Sequence, residues 1–166
     1  ELKRPLEPRA SSPQARLRVM RRLKEAGVPV RVMFSPVIPC VNDDELEQVL
    51  EAAAEAGASS ASYVLLRLPY ELKDLFREWL DAHLPLRAAH VMSLINQSRG
   101  GKDYQSGFGT RMRGTGQFAD LIAQRFALAR RRYGLDRAGE SLTAAAFRVP
   151  PAVGDQIGLF GESEND

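Results

Sequence analysis

The stretch from Ser35 to Asp43 combines residue types that suit the binding of a flat ligand. Its sequence is Ser-Pro-Val-Ile-Pro-Cys-Val-Asn-Asp, with prolines at positions 36 and 39. A loop stiffened by two prolines holds its backbone amides and carbonyls at fixed places, and Ile38 offers an apolar packing surface. These features suit a heterocycle such as adenine. An ordinary proline-bounded turn before a capped helix has the same composition, and the sequence leaves both interpretations open.

A second stretch, residues 99–116, has the most unusual composition in the chain, and we call it the Gly/Arg segment. Its sequence RGGKDYQSGFGTRMRGTG contains six of the thirteen glycines, four basic residues and two aromatic residues. Glycine allows close backbone approach, arginine matches phosphate oxygens, and aromatic rings stack on bases. The candidates for contact with a substrate or nucleic acid are Arg99, Lys102, Tyr104, Phe108, Arg111 and Arg113. A mobile linker between two packed helices is the alternative.

The first of these stretches follows a predicted strand in a strand-helix-strand unit. Val30, Val32 and Phe34 lead into the proline loop, and a second apolar run from Tyr63 to Leu66 leads into Arg67-Leu68-Pro69. The intervening helix has its apolar positions at helical spacing, with Asn42 or Asp43 as the expected cap and Gly57 at its end. Those apolar positions are Leu46, Val49, Leu50 and Ala53.

A crossover of this length requires two parallel strands, which need cover on both faces and neighbours on both edges. The chain contains no other convincing strand. We therefore expect these two strands to belong to a larger barrel or sheet whose remaining strands lie outside this polypeptide.

Four further helices are predicted around this unit. One begins at the Ser12-Pro13 cap and ends before Gly27, one follows Pro69, one opens at Pro85, and one runs from Gln117 to Tyr133. The helix after Pro69 has an apolar stripe that we expect to be core, formed by Leu72, Leu75, Phe76, Trp79 and Leu80. Beyond residue 137 the periodicity is lost, and a disordered tail is expected.

Composition limits the classes of protein to which the chain can belong. It has 166 residues, 44% hydrophobic and 27% charged, and a net charge of +2, which is ordinary for one globular domain. It has no apolar run of membrane-spanning length and no basic-then-apolar leader, so the expected compartment is the cytoplasm. Cys40 is the single cysteine and allows no internal disulfide. The first residue is Glu1, not Met, and it lies in a charged stretch. We therefore expect the sequence to begin at a truncation and not at a natural amino terminus.

Basic residues are concentrated in two blocks. Lys and Arg outnumber Asp and Glu by 8 to 3 in residues 1–26 and by 9 to 3 in residues 99–137. Such blocks attract an anionic partner, although solvated arginine-rich helices have the same composition.

Residues 36–80, together with FGTRMRGTG at residues 108–116, resemble the carboxyl-terminal half of radical S-adenosylmethionine proteins of the spore photoproduct lyase-like group. The resemblance implies an α/β fold, the carboxyl-terminal part of a partial (β/α)6 TIM-like barrel, followed by a helical extension. It implies that the loop after the fifth strand of the barrel packs on the adenine of S-adenosylmethionine. It also implies that backbone atoms at the end of the sixth strand contact the same adenine. The residues matching these positions are Ser35, Pro36, Ile38, Pro39, Cys40, Leu66, Arg67 and Leu68. Cys40 stands where that group has glycine.

The three cysteines that hold the [4Fe-4S] cluster of that superfamily, in a C-x3-C-x2-C loop, are absent from the chain. The resemblance therefore implies that the cluster belongs to a preceding part of an intact parent enzyme, a lyase-like protein with a link to DNA repair. The chain alone is expected to be inactive, with no catalytic residue and no metal ligand of its own. Three parts are implied: residues 1–98 as half of the barrel, residues 99–137 as Gly/Arg-rich loop and helix, and residues 138–166 as tail.

The tail contains one candidate docking peptide. Residues 156–160, QIGLF, resemble the QLxLF peptide with which bacterial repair and replication proteins bind the sliding clamp. Gln156, Leu159 and Phe160 match its anchors, and a short peptide in a disordered tail folds on binding. The alternative to the enzyme is thus a non-enzymatic basic module that binds nucleic acid and the sliding clamp.

Overall fold

The computed structural model describes residues 6–104, 107–137, 143–145 and 147–149. The protein has a mixed α/β fold with a sheet of two parallel strands. In chain order the elements are α1 (Pro13–Glu25), β1 (Arg31–Val37), a 3-10 turn (Asp43–Glu45), α2 (Leu46–Glu55), β2 (Ser60–Leu65), α3 (Leu72–His83), α4 (Pro85–Gln97) and α5 (Gln117–Arg132). The predicted docking peptide at residues 156–160 lies outside the described residues, so the structure does not test it.

The predicted strand-helix-strand unit is confirmed. β1 and β2 pair in parallel, with Arg31 opposite Ser60 and Phe34 opposite Tyr63. The pairing is irregular between Phe34 and Val37, and the Leu66 amide then donates to the Val37 carbonyl at 2.9 Å. Both strands therefore end at the same edge of the sheet, which we call the carboxyl edge.

The outer edges of the two strands differ. β2 is partly covered, because the Leu65 amide donates to the Met112 carbonyl at 2.9 Å and the Ala61 amide to the Leu135 carbonyl at 3.1 Å. Within the described part of the chain, no strand pairs with the outer edge of β1. An open edge of this kind is available for pairing with another strand.

The two faces of the sheet also differ. On one face Phe34, Tyr63 and Leu65 pack with α2 and α5 in the first core, where the rings of Tyr63 and Phe126 lie 4.6 Å apart. Because α5 belongs to this core, the predicted division between residues 98 and 99 separates segments that pack together. The opposite face of β1 carries Arg31, Met33 and Ser35, all exposed, with Met33 64% exposed.

A second core lies beyond the carboxyl edge. Helices α3 and α4, which are joined by Leu84 alone, pack against each other, and their buried side chains cover the loops that follow the two strands. This core contains Ile38, Val41, Leu68, Phe76, Leu80, Ala88, Val91, Met92 and Ile95.

The predicted core stripe of α3 is only partly correct. Leu72 and Leu75 are 45% and 55% exposed, whereas Phe76 and Leu80 are buried. Both exposed leucines lie in the first turn of α3, so periodicity located the apolar face but not how much of it is buried. Within the described ranges, no helix has both the length and the hydrophobicity needed to cross a bilayer.

Candidate functional site

The loop after β1 is fixed by Asn42 as well as by its prolines. The Asn42 side chain accepts a hydrogen bond from the Ile38 amide at 2.7 Å and donates one to the Pro36 carbonyl at 3.0 Å. We expected Asn42 or Asp43 to cap the following helix, but Asn42 makes no capping bond, and a 3-10 turn over Asp43–Glu45 precedes α2. Asn42 instead closes the loop on itself, so the backbone at the carboxyl edge is held in one shape.

The structure divides the predicted cofactor residues into two groups. Ile38 and Leu68 are 1% and 3% exposed and support the loop from within the second core. Pro39 is also buried. Ser35 is exposed, and Pro36 and Cys40 are half-buried. Ile38 is therefore not an open packing surface. Periodicity could not have shown this, because α3 and α4 cover the loop from elsewhere in the sequence.

Leu66 has little backbone hydrogen-bonding capacity left for a ligand. Its amide donates to Val37, and its carbonyl accepts from Arg99 Nη2 at 2.7 Å. The cavity at this point, lined by Val37, Pro39, Leu65, Leu66, Ile95, Ser98 and Arg99, has a volume of about 10 Å³, room for one water molecule at most. This cavity is therefore too small to hold adenine.

Cys40 adopts a left-handed backbone conformation, with φ of 55°. Glycine adopts this region without strain, whereas a residue with a Cβ does so at some cost. The Cys40 carbonyl accepts a hydrogen bond from Arg87 Nη1 at 3.3 Å. Burial raises the pKa of the Cys40 thiol, Asp43 raises it further, and Arg87 opposes them. The thiol is therefore protonated at neutral pH and is a poor nucleophile.

Arg99 ties the strand ends to the Gly/Arg segment. Its side chain is among the most buried in the described chain, at 2% exposed, and its guanidinium donates only to main-chain carbonyls. Nη2 bonds Leu65 at 3.1 Å and Leu66 at 2.7 Å, and Nη1 bonds Arg111 at 2.8 Å and Thr110 at 3.3 Å. Arg99, predicted to contact a substrate, thus has its donors directed inwards.

The described part of the Gly/Arg segment packs against the sheet at Gly114. There φ is 72°, and a Cβ would lie 2.8 Å from the Ser98 carbonyl oxygen and 2.9 Å from Leu65 Cδ1. The next amide, that of Thr115, donates to the same Ser98 carbonyl at 3.0 Å. This packing, with the bonds of Arg99, argues against a mobile linker at residues 110–116.

Arg67 and Tyr104, predicted for different ligands, meet at the carboxyl edge. Arg67 Nη2 donates to the Tyr104 hydroxyl at 3.0 Å, and the guanidinium carbon lies 5.7 Å from the centre of the Tyr104 ring. Arg67 Nη1 approaches the sulfur of Met112 at 3.8 Å. Arg67 Nε is buried and has no hydrogen-bond partner. Among the described residues, no carboxylate forms an ion pair with Arg67 or with Arg99.

The other candidates of the Gly/Arg segment occupy different places. Phe108 is 95% exposed, and the Arg111 guanidinium carbon lies 5.7 Å from the centre of its ring. Lys102 is exposed. Arg113 is also exposed, with its guanidinium carbon 4.6 Å from the centre of the Tyr63 ring, on the face of the sheet that α5 covers. Arg113 therefore does not join the group formed by Arg67 and Tyr104.

Ion pairs that were not predicted hold the surrounding elements. Arg77 of α3 forms two bonds to Asp103, at 2.9 and 3.1 Å. Arg125 of α5 pairs with Glu47 of α2 at 2.6 Å and donates to the Asp43 carbonyl at 2.9 Å. The partners are 26 and 78 residues apart in sequence, so local spacing could not have identified them.

Comparison with known proteins identifies partial relatives. The chain is 35% identical over 82 residues, 48% of its length, to uncharacterized proteins of Mycobacterium tuberculosis and Mycobacterium bovis. It is 40% identical over 57 residues, 31% of its length, to an uncharacterized protein of Acidianus two-tailed virus. The matched stretches span 24% of the mycobacterial proteins and 19% of the viral one. No protein-family model and no solved structure matches the chain.

Proposed function

We propose that the chain is the carboxyl-terminal portion of a radical S-adenosylmethionine iron-sulfur enzyme of the spore photoproduct lyase-like group. The observation that carries this proposal is the pair of parallel strands in which, among the described residues, one edge and one face of β1 have no partner. Parallel strands are normally covered on both sides, because their crossover helices pack there. In the proposed partial (β/α)6 barrel, preceding strands would extend from the free edge of β1.

The uncovered face of β1 supports the proposed barrel. Arg31, Met33 and Ser35 lie on it, opposite the face that packs against α2 and α5. In a closed or nearly closed barrel this face is the inner one, and ligands bind at the carboxyl ends of the strands, where Ser35 lies. The exposure of Met33 is then a consequence of missing strands.

The residues of this chain fit one wall of a cofactor site. Ser35, Pro36 and Cys40 remain accessible at the carboxyl edge, while Ile38, Pro39 and Leu68 hold the loop in place. The rest of the cradle and the cluster ligands would come from the preceding part of the parent protein. When bound, a [4Fe-4S] cluster with S-adenosylmethionine supplies radical chemistry. This chain's own residues would bind and orient, and none of them is assigned a catalytic role.

The lengths of the relatives agree with the proposal. The stretch that the chain shares with the mycobacterial proteins is 24% of their length, so the conserved region is a fraction of a larger protein there. The names of these relatives assign no activity, and the proposed chemistry rests on the resemblance and the strand geometry.

The test uses the parent protein, produced without oxygen and with its cluster reconstituted. We expect it to bind S-adenosylmethionine and to form 5′-deoxyadenosine under reducing conditions. Ser35→Trp, which places a large ring at the end of the uncovered face, should weaken cofactor binding about tenfold, or 1.4 kcal/mol. Leu86→Trp, at a fully exposed position of α4, is the matched control. Cofactor binding that is absent, or equal in both variants, would contradict the proposal.

A basic module that binds nucleic acid is the second candidate, and the exposed ring of Phe108 beside Arg111 favours it. Solvent-exposed aromatic rings near cations are typical of single-strand binding. The isolated chain should then bind single-stranded DNA with an affinity that falls steeply with salt. Phe108→Ala should reduce that affinity, and no change would count against this candidate. Docking on the sliding clamp through Gln156, Leu159 and Phe160 stays a prediction.

A further inference from the structure

Arg67 carries a charge for which the described residues provide no counter-ion. Its Nε is buried without a partner, its Nη2 is bonded to a neutral hydroxyl, and its Nη1 faces a thioether sulfur, a weak acceptor. The residue as a whole is half-buried and the contact of Nη1 with Met112 is exposed, so the terminal nitrogens can be reached by an anion. This arrangement is therefore incomplete in the described chain.

The surroundings of Arg67 increase the positive potential. Arg99 lies close enough that Arg67 contributes to lowering the pKa of Arg99, after burial as the larger cause. The acid within the described Gly/Arg segment, Asp103, is already bonded by Arg77. The charges of both arginines would attract an anionic ligand to the carboxyl edge. Arg99 would contribute only its charge, because its donors are bonded to carbonyls.

We propose that Arg67 and Tyr104 bind a phosphate group at the carboxyl edge. The terminal nitrogens of Arg67 supply a planar pair of donors that matches two phosphate oxygens. The Tyr104 hydroxyl accepts from Arg67 and has its own proton free to donate to a third oxygen. The phosphate takes the place of Met112 as the partner of Nη1. This assignment concerns the Arg67 side chain, and it rests on no part of the cofactor proposal.

Two sources could supply this phosphate, a phosphodiester of single-stranded nucleic acid and a free phosphate ion. The exposed Phe108 ring favours the first, because it offers a stacking surface for a base on the same segment. A free ion would use Arg67 and Tyr104 without Phe108. The two sources are separated by comparing inorganic phosphate with an oligonucleotide.

The experiment titrates the 166-residue chain with inorganic phosphate and, separately, with a labelled single-stranded DNA at low salt. Arginine side-chain and backbone NMR signals report the first titration, and fluorescence anisotropy reports the second. Arg67→Gln should weaken binding about tenfold in each titration that shows binding, as expected for loss of a charge-assisted bond. Tyr104→Phe should weaken it less, because only one bond is lost. Arg131→Gln removes the same charge from an exposed position in α5 and is the matched control.

Each outcome decides the proposal. Signal changes centred on Arg67, with loss of binding in Arg67→Gln and not in Arg131→Gln, support the site. Binding of both ligands then assigns it to nucleic acid, and binding of phosphate alone assigns it to a free ion. Equal losses in Arg67→Gln and Arg131→Gln, or no binding of either ligand, would overturn it. If Arg67→Gln fails to fold, as judged by thermal unfolding, the comparison of Tyr104→Phe with wild type decides in its place.

Discussion

Glu47 is held by two bonds from Arg125, at 2.8 and 2.6 Å, which join α2 to α5. The hydrogen bond from Arg125 lowers the pKa of Glu47, and burial partly opposes this effect. A carboxylate whose folded pKa is lowered contributes stability above its unfolded pKa, and this contribution is lost as the pH falls through the folded pKa. Because the Glu47 side chain is 40% exposed, we expect about 1 kcal/mol or less at neutral pH.

Glu47→Gln should therefore lower the free energy of unfolding at pH 7. The difference from wild type should begin to shrink below about pH 4.3, the unfolded pKa of glutamate, and should disappear only below the lowered folded pKa. Urea unfolding at several pH values measures it. Glu51→Gln, exposed on the same helix, is the control. A difference for Glu47→Gln that stays constant as the pH falls from 7 to about 2, below the range in which carboxylates titrate, would show that the carboxylate charge is not its cause.

Gly114 and Gly109 provide a matched pair, because both have positive φ, 72° and 89°. A Cβ at Gly114 would contact Ser98 and Leu65 below 3.0 Å, whereas one at Gly109 would meet nothing within 4 Å. We expect Gly109→Ala to cost about 1 kcal/mol from strain alone and Gly114→Ala to cost about 3 kcal/mol. Thermal unfolding measures both, and equal costs would contradict the packing of the Gly/Arg segment on the sheet.

Some of these residues could be found from sequence, and others could not. Ser12 was predicted as a cap, and its Oγ accepts from the Ala15 amide at 3.2 Å, because capping depends on neighbours in the chain. Arg99 was singled out for its type, but its carbonyl partners at Leu65 and Leu66 lie more than 30 residues away. Its burial follows from the path of the whole segment, which local composition does not encode.

At the level of elements, Arg99 couples β2 to the Gly/Arg segment, and its replacement should separate them. Arg99→Lys keeps the charge but cannot reach four carbonyls with one compact ammonium group. We expect a loss of about 3 kcal/mol, the cost of leaving buried carbonyls without partners. Urea unfolding measures the loss.

Hydrogen exchange gives that prediction a local measurement. The Leu65 amide, which donates to Met112, should exchange faster in Arg99→Lys than in the control Arg131→Lys. Unchanged protection of this amide would contradict the coupling, whatever the change in global stability.

The helices and strands were largely predictable, and their packing was less so. The strand-helix-strand order followed from the switch between alternating and helical periodicity. Leu72 and Leu75 are exposed and Ile38 is buried, and both facts depend on where α3 and α4 lie on the strand-end loops. That position is a contact between distant segments, which periodicity within one element does not specify.

At the level of the whole molecule, the edge and face of β1 that have no partner in the described ranges should make the isolated chain associate with itself. Met33→Lys places a charge on that face and should reduce association while changing stability by about 0.5 kcal/mol or less, since Met33 is 64% exposed. Sedimentation velocity over a range of concentrations measures this. Val19→Lys, at an exposed position of α1, is the control. If the two variants associate to the same extent, β1 is not the surface through which the chain associates with itself.

The sequence predicted the mixed α/β class and the parallel pair, because a strand-helix-strand unit of this length permits no other pairing. The partial barrel and its cofactor would be properties of a larger set of strands. The described pair, with Arg31, Met33 and Ser35 exposed on one face, fits such a barrel but also fits other sheets. The resemblance in residues 36–80 and 108–116 supplies the rest of that proposal.

The most direct test of the central proposal is the reading frame upstream of Glu1 in the genomic DNA. We expect the frame to continue for roughly 150 to 200 residues, about the length of a domain, and to encode a C-x3-C-x2-C loop. That result would place the cluster ligands in the same protein as the carboxyl edge described here. A frame that closes at once, or that continues without the three cysteines, would contradict the radical S-adenosylmethionine proposal and favour the nucleic-acid-binding module.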